Sequence, residues 1–179
     1  MKNIVIIGGT KGIGKAIVSE VVDNNNVVCL SRNQTDFSHD NYTFHNFDAL
    51  VDDYPDFESV DCLIYCPGSI NLKPISTLSL DDFRNDFELN VIGAVRAIKK
   101  YLNLLKKSGS ASILLFSTVA TKLGMPYHAS VSVAKSGIDG LVKTLGSELA
   151  PKVRINAIAP TITNTCLLYT SPSPRDSIA

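Results

Sequence analysis

The chain has 179 residues, 45% of them hydrophobic and 19% charged, enough for one domain with its own core and too few for two ordinary ones; global disorder is excluded. Lys and Arg together number 17, as do Asp and Glu, so no net field draws in a polyanion and nucleic acid is not expected as a partner. The opening MKNIVIIGGT breaks its apolar run at Gly8, too short for a signal peptide, and no later run approaches a membrane span; no membrane partner and a cytoplasmic location are expected.

In chain order, a β-branched strand from Asn3 to Ile7 leads to a helix from about Gly12 to Val22, then a strand from Val27 to Leu30, which is a βαβ unit. Strands from Tyr42 to Phe47 and from Val60 to Tyr65 follow, mostly apolar, as in a parallel sheet covered on both faces. A long helix is predicted from Ser79, where Ser79 and Asp82 have capping-box spacing. Its expected apolar stripe is Phe83, Phe87, Val91, Val95, Ile98, Leu102 and Leu105, and Gly109 closes it. Lys99, Lys100, Lys106 and Lys107 are its solvated end.

A strand from Ser112 to Phe116, a helix from Ala129 to Leu149 and a strand from Lys152 to Ile158 complete a regular alternation, which predicts a doubly wound α/β architecture. From Cys166 the run CLLYTSPSPRD has no period of two or 3.6, and its reverse translation resembles a transposase adaptor used in sequencing libraries. Residues 1–165 are therefore expected to be the domain, and residues 166–179 a non-native tail that leaves the fold incomplete at its C-terminal end. The alternative is a real disordered tail.

Cys29, Cys62, Cys66 and Cys166 form no CxxC pair, and His39, His45 and His128 stand at no ligand spacing from them; neither disulfide nor metal is expected. Gly8, Gly9, Thr10, Lys11, Gly12, Ile13 and Gly14 fall where the first strand turns into a helix N-terminus. Glycines there let backbone approach a pyrophosphate, and free N–H groups with the helix dipole favour it.

The spacing Gly8-x3-Gly12-x-Gly14 resembles the short-chain dehydrogenase/reductase family, as do Asn90 in NVIG, Ser117 and Thr118 after ILLF, Lys135, and RINAIAP ending at Pro160. The resemblance covers residues 1–165. It implies a Rossmann-type three-layer α/β/α fold, NAD or NADP at the carboxyl edge of the sheet, and a small carbonyl or alcohol substrate. It also implies a homodimer or homotetramer joined through the helices carrying Asn90 and Lys135.

Carried over by resemblance, Gly8, Gly12, Ile13 and Gly14 line the pyrophosphate, Asp48 binds adenine, Gly68 lies beside the cofactor, and Thr165 contacts it. Lys135 binds the nicotinamide ribose, Asn90 holds the Lys135 region through a water, and Thr118 takes the place of the substrate-orienting Ser. Cys66-Pro67-Gly68 stands where the family usually has Asn-Ala-Gly, and Val131 stands where it has the proton-donating Tyr of Tyr-x3-Lys. Two substitutes lie near: His128, three residues earlier, titrates near neutrality, and Tyr127, four earlier, carries a hydroxyl. Either could instead form the mouth of the pocket. Ser31 and Arg32 end the second strand and Lys11 sits in the glycine loop, so two cations favour the 2′-phosphate of NADP over NAD. Loss of the acid also leaves open a second class, a non-catalytic NAD(P)-binding sensor or subunit.

Overall fold

The computed structural model describes residues 1–165; the expected adaptor-derived tail lies outside the described residues. Six strands run β1 Asn3–Ile7, β2 Asn26–Ser31, β3 Tyr42–Asn46, β4 Cys62–Tyr65, β5 Ala111–Phe116 and β6 Val153–Ile158. They form one wholly parallel sheet in the order β3-β2-β1-β4-β5-β6. The order reverses between β1 and β4. Such a switch point opens a crevice beyond the carboxyl ends of the strands.

Alternation along β1 shows how both faces are covered. Ile4 and Ile6 pack into one cluster with Val18 and Val22, while Val5 and Ile7 pack into the other with Ala94, Ile98 and Ile138. Helix α1 (Gly12–Val21) covers the first face; α3 (Gly93–Ser108) and α5 (Ala129–Leu149) cover the second. Each fully buried Leu or Ile is worth roughly 1.5–3 kcal/mol over exposure, and Ile6, Ile7, Leu30 and Leu63 are among the fully buried ones. The core therefore sits under β1, β2 and β4 and holds the crevice at their ends.

The long helix starts as read, with Ser79 and Asp82 making both halves of a capping box before α2 (Leu80–Phe87), and Gly109 ends α3 in the left-handed region at φ 74. Its middle was not foreseen. Glu88–Ile92 is a π turn, in which the Gly93 N–H bonds the Glu88 carbonyl instead of the next one. The Leu89 carbonyl is then taken by the Tyr65 hydroxyl at 2.7 Å. A methyl on Gly93 would overlap that hydroxyl, so the glycine admits the bond. The extra residue turns everything before it by about 100°. Phe87, expected in the apolar stripe, is 39% exposed, and Asp86 is fully buried in its stead.

Residues Ala120–Leu123 form a short helix, α4, also not foreseen, and α5 begins at Ala129 with His128 as its N-cap. Tyr127 lies at φ 64. The helix therefore does not extend back over Tyr127, which removes the helical spacing that would bring Tyr127 and His128 to the face of Val131.

Candidate functional site

The β1–α1 turn needs two of its glycines for backbone reasons. Gly8 and Gly12 have φ of 76 and 52, a region that costs an ordinary L-residue about 1 kcal/mol or more. Gly14 is required by packing: a methyl there would overlap the Gly8 carbonyl oxygen and lie 3.1 Å from the Gly9 Cα. Helix α1 has no side-chain cap at Lys11 and no acidic residue in its first turn. Its leading N–H groups and positive dipole end are thus uncompensated by side chains, the condition for holding an anion.

This turn forms one wall of a cleft of about 540 Å³ at the switch point. Gly8, Lys11, Gly12, Ile13, Gly14, Ser31, Arg32, Asp48, Gly68 and Thr165 all line it. Thr165 lies over the loop, 3.4 Å from where a Gly12 Cβ would stand. Ser31 is pinned by the Thr10 hydroxyl at 2.8 Å. Arg32 is 73% exposed and 4.0 Å from Asp48; such surface pairs contribute about 0–1 kcal/mol, so Arg32 can leave its partner for a phosphate.

Asn90 and Lys135 stand behind Gly68. A methyl on Gly68 would lie 3.2 Å from Asn90 Oδ1 and 3.5 Å from Lys135 Nζ. The π turn aims Asn90, whose Nδ2 donates to the Ser69 hydroxyl at 3.1 Å and the Asp86 carbonyl at 2.7 Å. Lys135 reaches across from α5 and donates to the Phe116 carbonyl at 2.8 Å. Burial holds its ammonium down at about 8, partly offset by Cys66 and Asp86. Burial also pushes the Cys66 thiol up to about 12.

A depressed lysine has a consequence for stability. The unfolded chain binds more protons than the folded one between pH 8 and the ordinary 10.5. The cost of burying Lys135 is therefore complete below pH 8 and fades as pH rises towards 10.5. The melting temperature of the natural chain minus that of Lys135→Met is expected to rise from about pH 7.5 to about pH 10. A flat or falling difference would refute the depressed ammonium.

Thr118 and His128 do not line this cleft. Thr118 follows β5 two residues after Phe116, and its hydroxyl accepts the Ala120 N–H at 3.3 Å. His128 lines a separate hollow with Lys73, Thr121, Met125 and Tyr127, its Nδ1 2.6 Å from the Pro126 carbonyl. Val131 is 5% exposed in α5, one turn before Lys135.

Sequence reasoning missed Ser69, Asn71 and Asp86, which line the cleft. A signal existed: Asp86 lies four residues before Asn90, one turn up the same helix. Asp86 Oδ2, Asn90 Oδ1, Ser117 Oγ and Ser130 Oγ are buried without a protein partner. Buried polar atoms ordinarily find one, in protein, water or ligand. The uncapped helix end, the glycine cradle and the open Asp86 Oδ2 fit a dinucleotide bound in the cleft at the switch point.

Comparisons with known proteins bear on the family of the chain. The chain is 26% identical over 200 aligned residues to 3alpha-hydroxysteroid dehydrogenase of Mediterraneibacter gnavus, covering 96% of this chain and 77% of that protein. It is 28% identical over 163 residues to 3-oxoacyl-(acyl-carrier-protein) reductase of Synechocystis sp., covering 89% of this chain and 63% of that one. The solved structure of ElxO with NADP bound superposes with a TM-score of 0.83 at 26% identity, over 94% of this chain and 77% of that one. Residues 2–175 match the family model described as short chain dehydrogenase. With its 3-2-1-4-5-6 sheet, its glycine turn and its relatives in accord, the chain belongs to the short chain dehydrogenase family.

Proposed function

We propose that the protein is an NADP(H)-dependent oxidoreductase acting on a small carbonyl or alcohol. The observation that carries this reading is the convergence of Asn90 Oδ1 and Lys135 Nζ on Gly68, which lines the same cleft as the glycine turn at the bare N-terminus of α1. When bound, the nicotinamide supplies or accepts the hydride. Gly8, Gly12, Ile13 and Gly14 cradle the pyrophosphate, and Asp48 receives the adenine. Lys135 holds the ribose hydroxyls with the N–H groups it does not spend on Phe116. Asn90 steadies the water through which Lys135 is positioned, Thr165 closes over the loop, and Thr118, after the end of β5 and outside this cleft, orients the substrate carbonyl. The proton comes from solvent, because Val131 has none to give; His128 faces the other hollow.

Direct titration with NADPH beside a turnover screen over ketones and aldehydes tests the proposal. NADPH consumption with at least one carbonyl supports it. Buried Val131 favours a second reading, a binder without turnover, and tight NADPH binding with no consumption on any carbonyl would establish that instead.

The cofactor preference rests on Arg32 and Lys11, both on the wall beside Ser31. A charge-assisted hydrogen bond contributes about 1.5–3 kcal/mol. Arg32→Ala is therefore expected to weaken NADPH by roughly 10- to 100-fold and leave NADH nearly unchanged. Competitive titration showing tighter NADH binding by the natural chain, or equal losses for both cofactors, would overturn the preference.

A further inference from the structure

Among the described residues, Asp86 and Lys135 are the only buried side chains that ordinarily carry a charge at neutral pH, one of each sign. Asn90 and Gly68 stand between them. Asp86 Oδ1 accepts the Ser69 hydroxyl and, at 3.0 Å, Asn71 Nδ2. Asn90 joins the two sides, its Nδ2 on Ser69 and the Asp86 carbonyl and its Oδ1 turned to Gly68, where Lys135 Nζ also arrives. Asp86 Oδ2 and Asn90 Oδ1 have no protein partner, and Lys135 Nζ bonds only the Phe116 carbonyl. Two acceptors of this network are thus left open, and the ammonium that arrives at Gly68 has spare donors.

A buried carboxylate is strongly destabilising unless an opposite charge and hydrogen bonds compensate it. Ser69 and Asn71 are neutral. Lys73, on the same loop, is already paired with Asp82 at 3.1 Å. Lys135 is the remaining cation. Asp86 stands on the turn of α2 immediately before the π turn, so the same local unwinding that aims Asn90 carries this carboxylate inward.

We propose that Asp86 is a positioning residue, the buried counter-charge that keeps the Lys135 ammonium at the cofactor site, with Ser69 and Asn71 fixing its carboxylate and Asn90 spacing the two charges. This deepens the proposed function, since it assigns Asp86 a task through Lys135. The titratable groups acting on Lys135 are Asp86, from α2, and Cys66, beyond β4; Phe116, from β5, offers it a carbonyl. Glu88 lines the same cleft. In a site where Val131 stands one turn before Lys135, no tyrosine at that position leans on the ammonium, and its charge serves the ribose.

The test is a double-mutant cycle read by thermal melting, with the pH profile of NADPH affinity as a second readout. Asp86→Asn keeps the shape and its bonds to Ser69 and Asn71 but removes the charge. The loss of melting temperature is expected to be clearly larger in the natural background than in Lys135→Met, where there is no ammonium left to strand. Should Asp86→Asn alone fail to fold, a folded Asp86→Asn/Lys135→Met chain supports the pairing, and an unfolded one overturns it. NADPH affinity of the natural chain should fall as pH passes about 8, and in Asp86→Asn the midpoint should move lower by about half a unit or more. Equal melting losses in both backgrounds, or an unmoved midpoint in an Asp86→Asn chain that binds NADPH, overturn the proposal. If the natural chain binds no NADPH, the proposed function fails, and the melting cycle alone still decides the role of Asp86.

Discussion

Val131→Tyr is expected to raise the rate of carbonyl reduction by roughly 10²- to 10⁴-fold, the usual contribution of general acid catalysis, with little change in NADPH affinity. Residue 131 stands on α5, one helical turn before Lys135, and is 5% exposed. A phenol ordinarily titrates near ~10, and an ammonium nearby brings it down towards the working range. The added ring must be accommodated in a buried position, at a cost of about 1–3 kcal/mol in stability, so a lower melting temperature should accompany the gain. His128→Ala should leave the rate of the natural chain nearly unchanged. That histidine caps α5 and lines the other hollow, with its Nδ1 against the Pro126 carbonyl. A Val131→Tyr chain that binds NADPH as before and reduces no carbonyl faster would favour the non-catalytic reading; a large loss in His128→Ala would restore the histidine as acid.

Gly14→Ala is expected to weaken NADPH binding by about 100-fold or more. The new Cβ would run into the Gly8 carbonyl oxygen and the Gly9 Cα, both backbone atoms that no rotamer change can clear. Relief requires α1 to draw back from the loop, and the N–H groups that converge on the pyrophosphate then separate. Gly140→Ala, far along α5 with nothing within 4 Å of the added methyl, is the control. A glycine in a helix interior costs about 0.5–1 kcal/mol relative to alanine, so this change should stabilise the chain and spare cofactor binding. Isothermal titration of both variants separates a local clash from a general loss of fold, and unchanged NADPH affinity in Gly14→Ala would remove the glycine turn from the site.

Features that rest on neighbours in the chain were legible in the residues themselves. Apolar runs such as Asn3–Ile7 place side chains alternately on two faces, so a strand buried on both sides announces itself. The Ser79–Asp82 capping box and Gly109 mark the ends of the long helix through bonds spanning a few residues. The glycine turn could be placed because its constraint is the backbone's own. What could not be read depends on groups far apart in sequence. The π turn exists with the Tyr65 hydroxyl, 24 residues earlier, on the Leu89 carbonyl, and with Gly93 leaving room for it. Its extra residue puts Phe87 outside and Asp86 inside, against the period of the apolar stripe. The left-handed turn at Tyr127 stops α5 at Ala129 and turns His128 to another hollow. Local propensity set the elements, and the phase of each helix against the cleft was decided by non-local hydrogen bonds, because a shift of one residue costs the helix little and changes every side chain it presents.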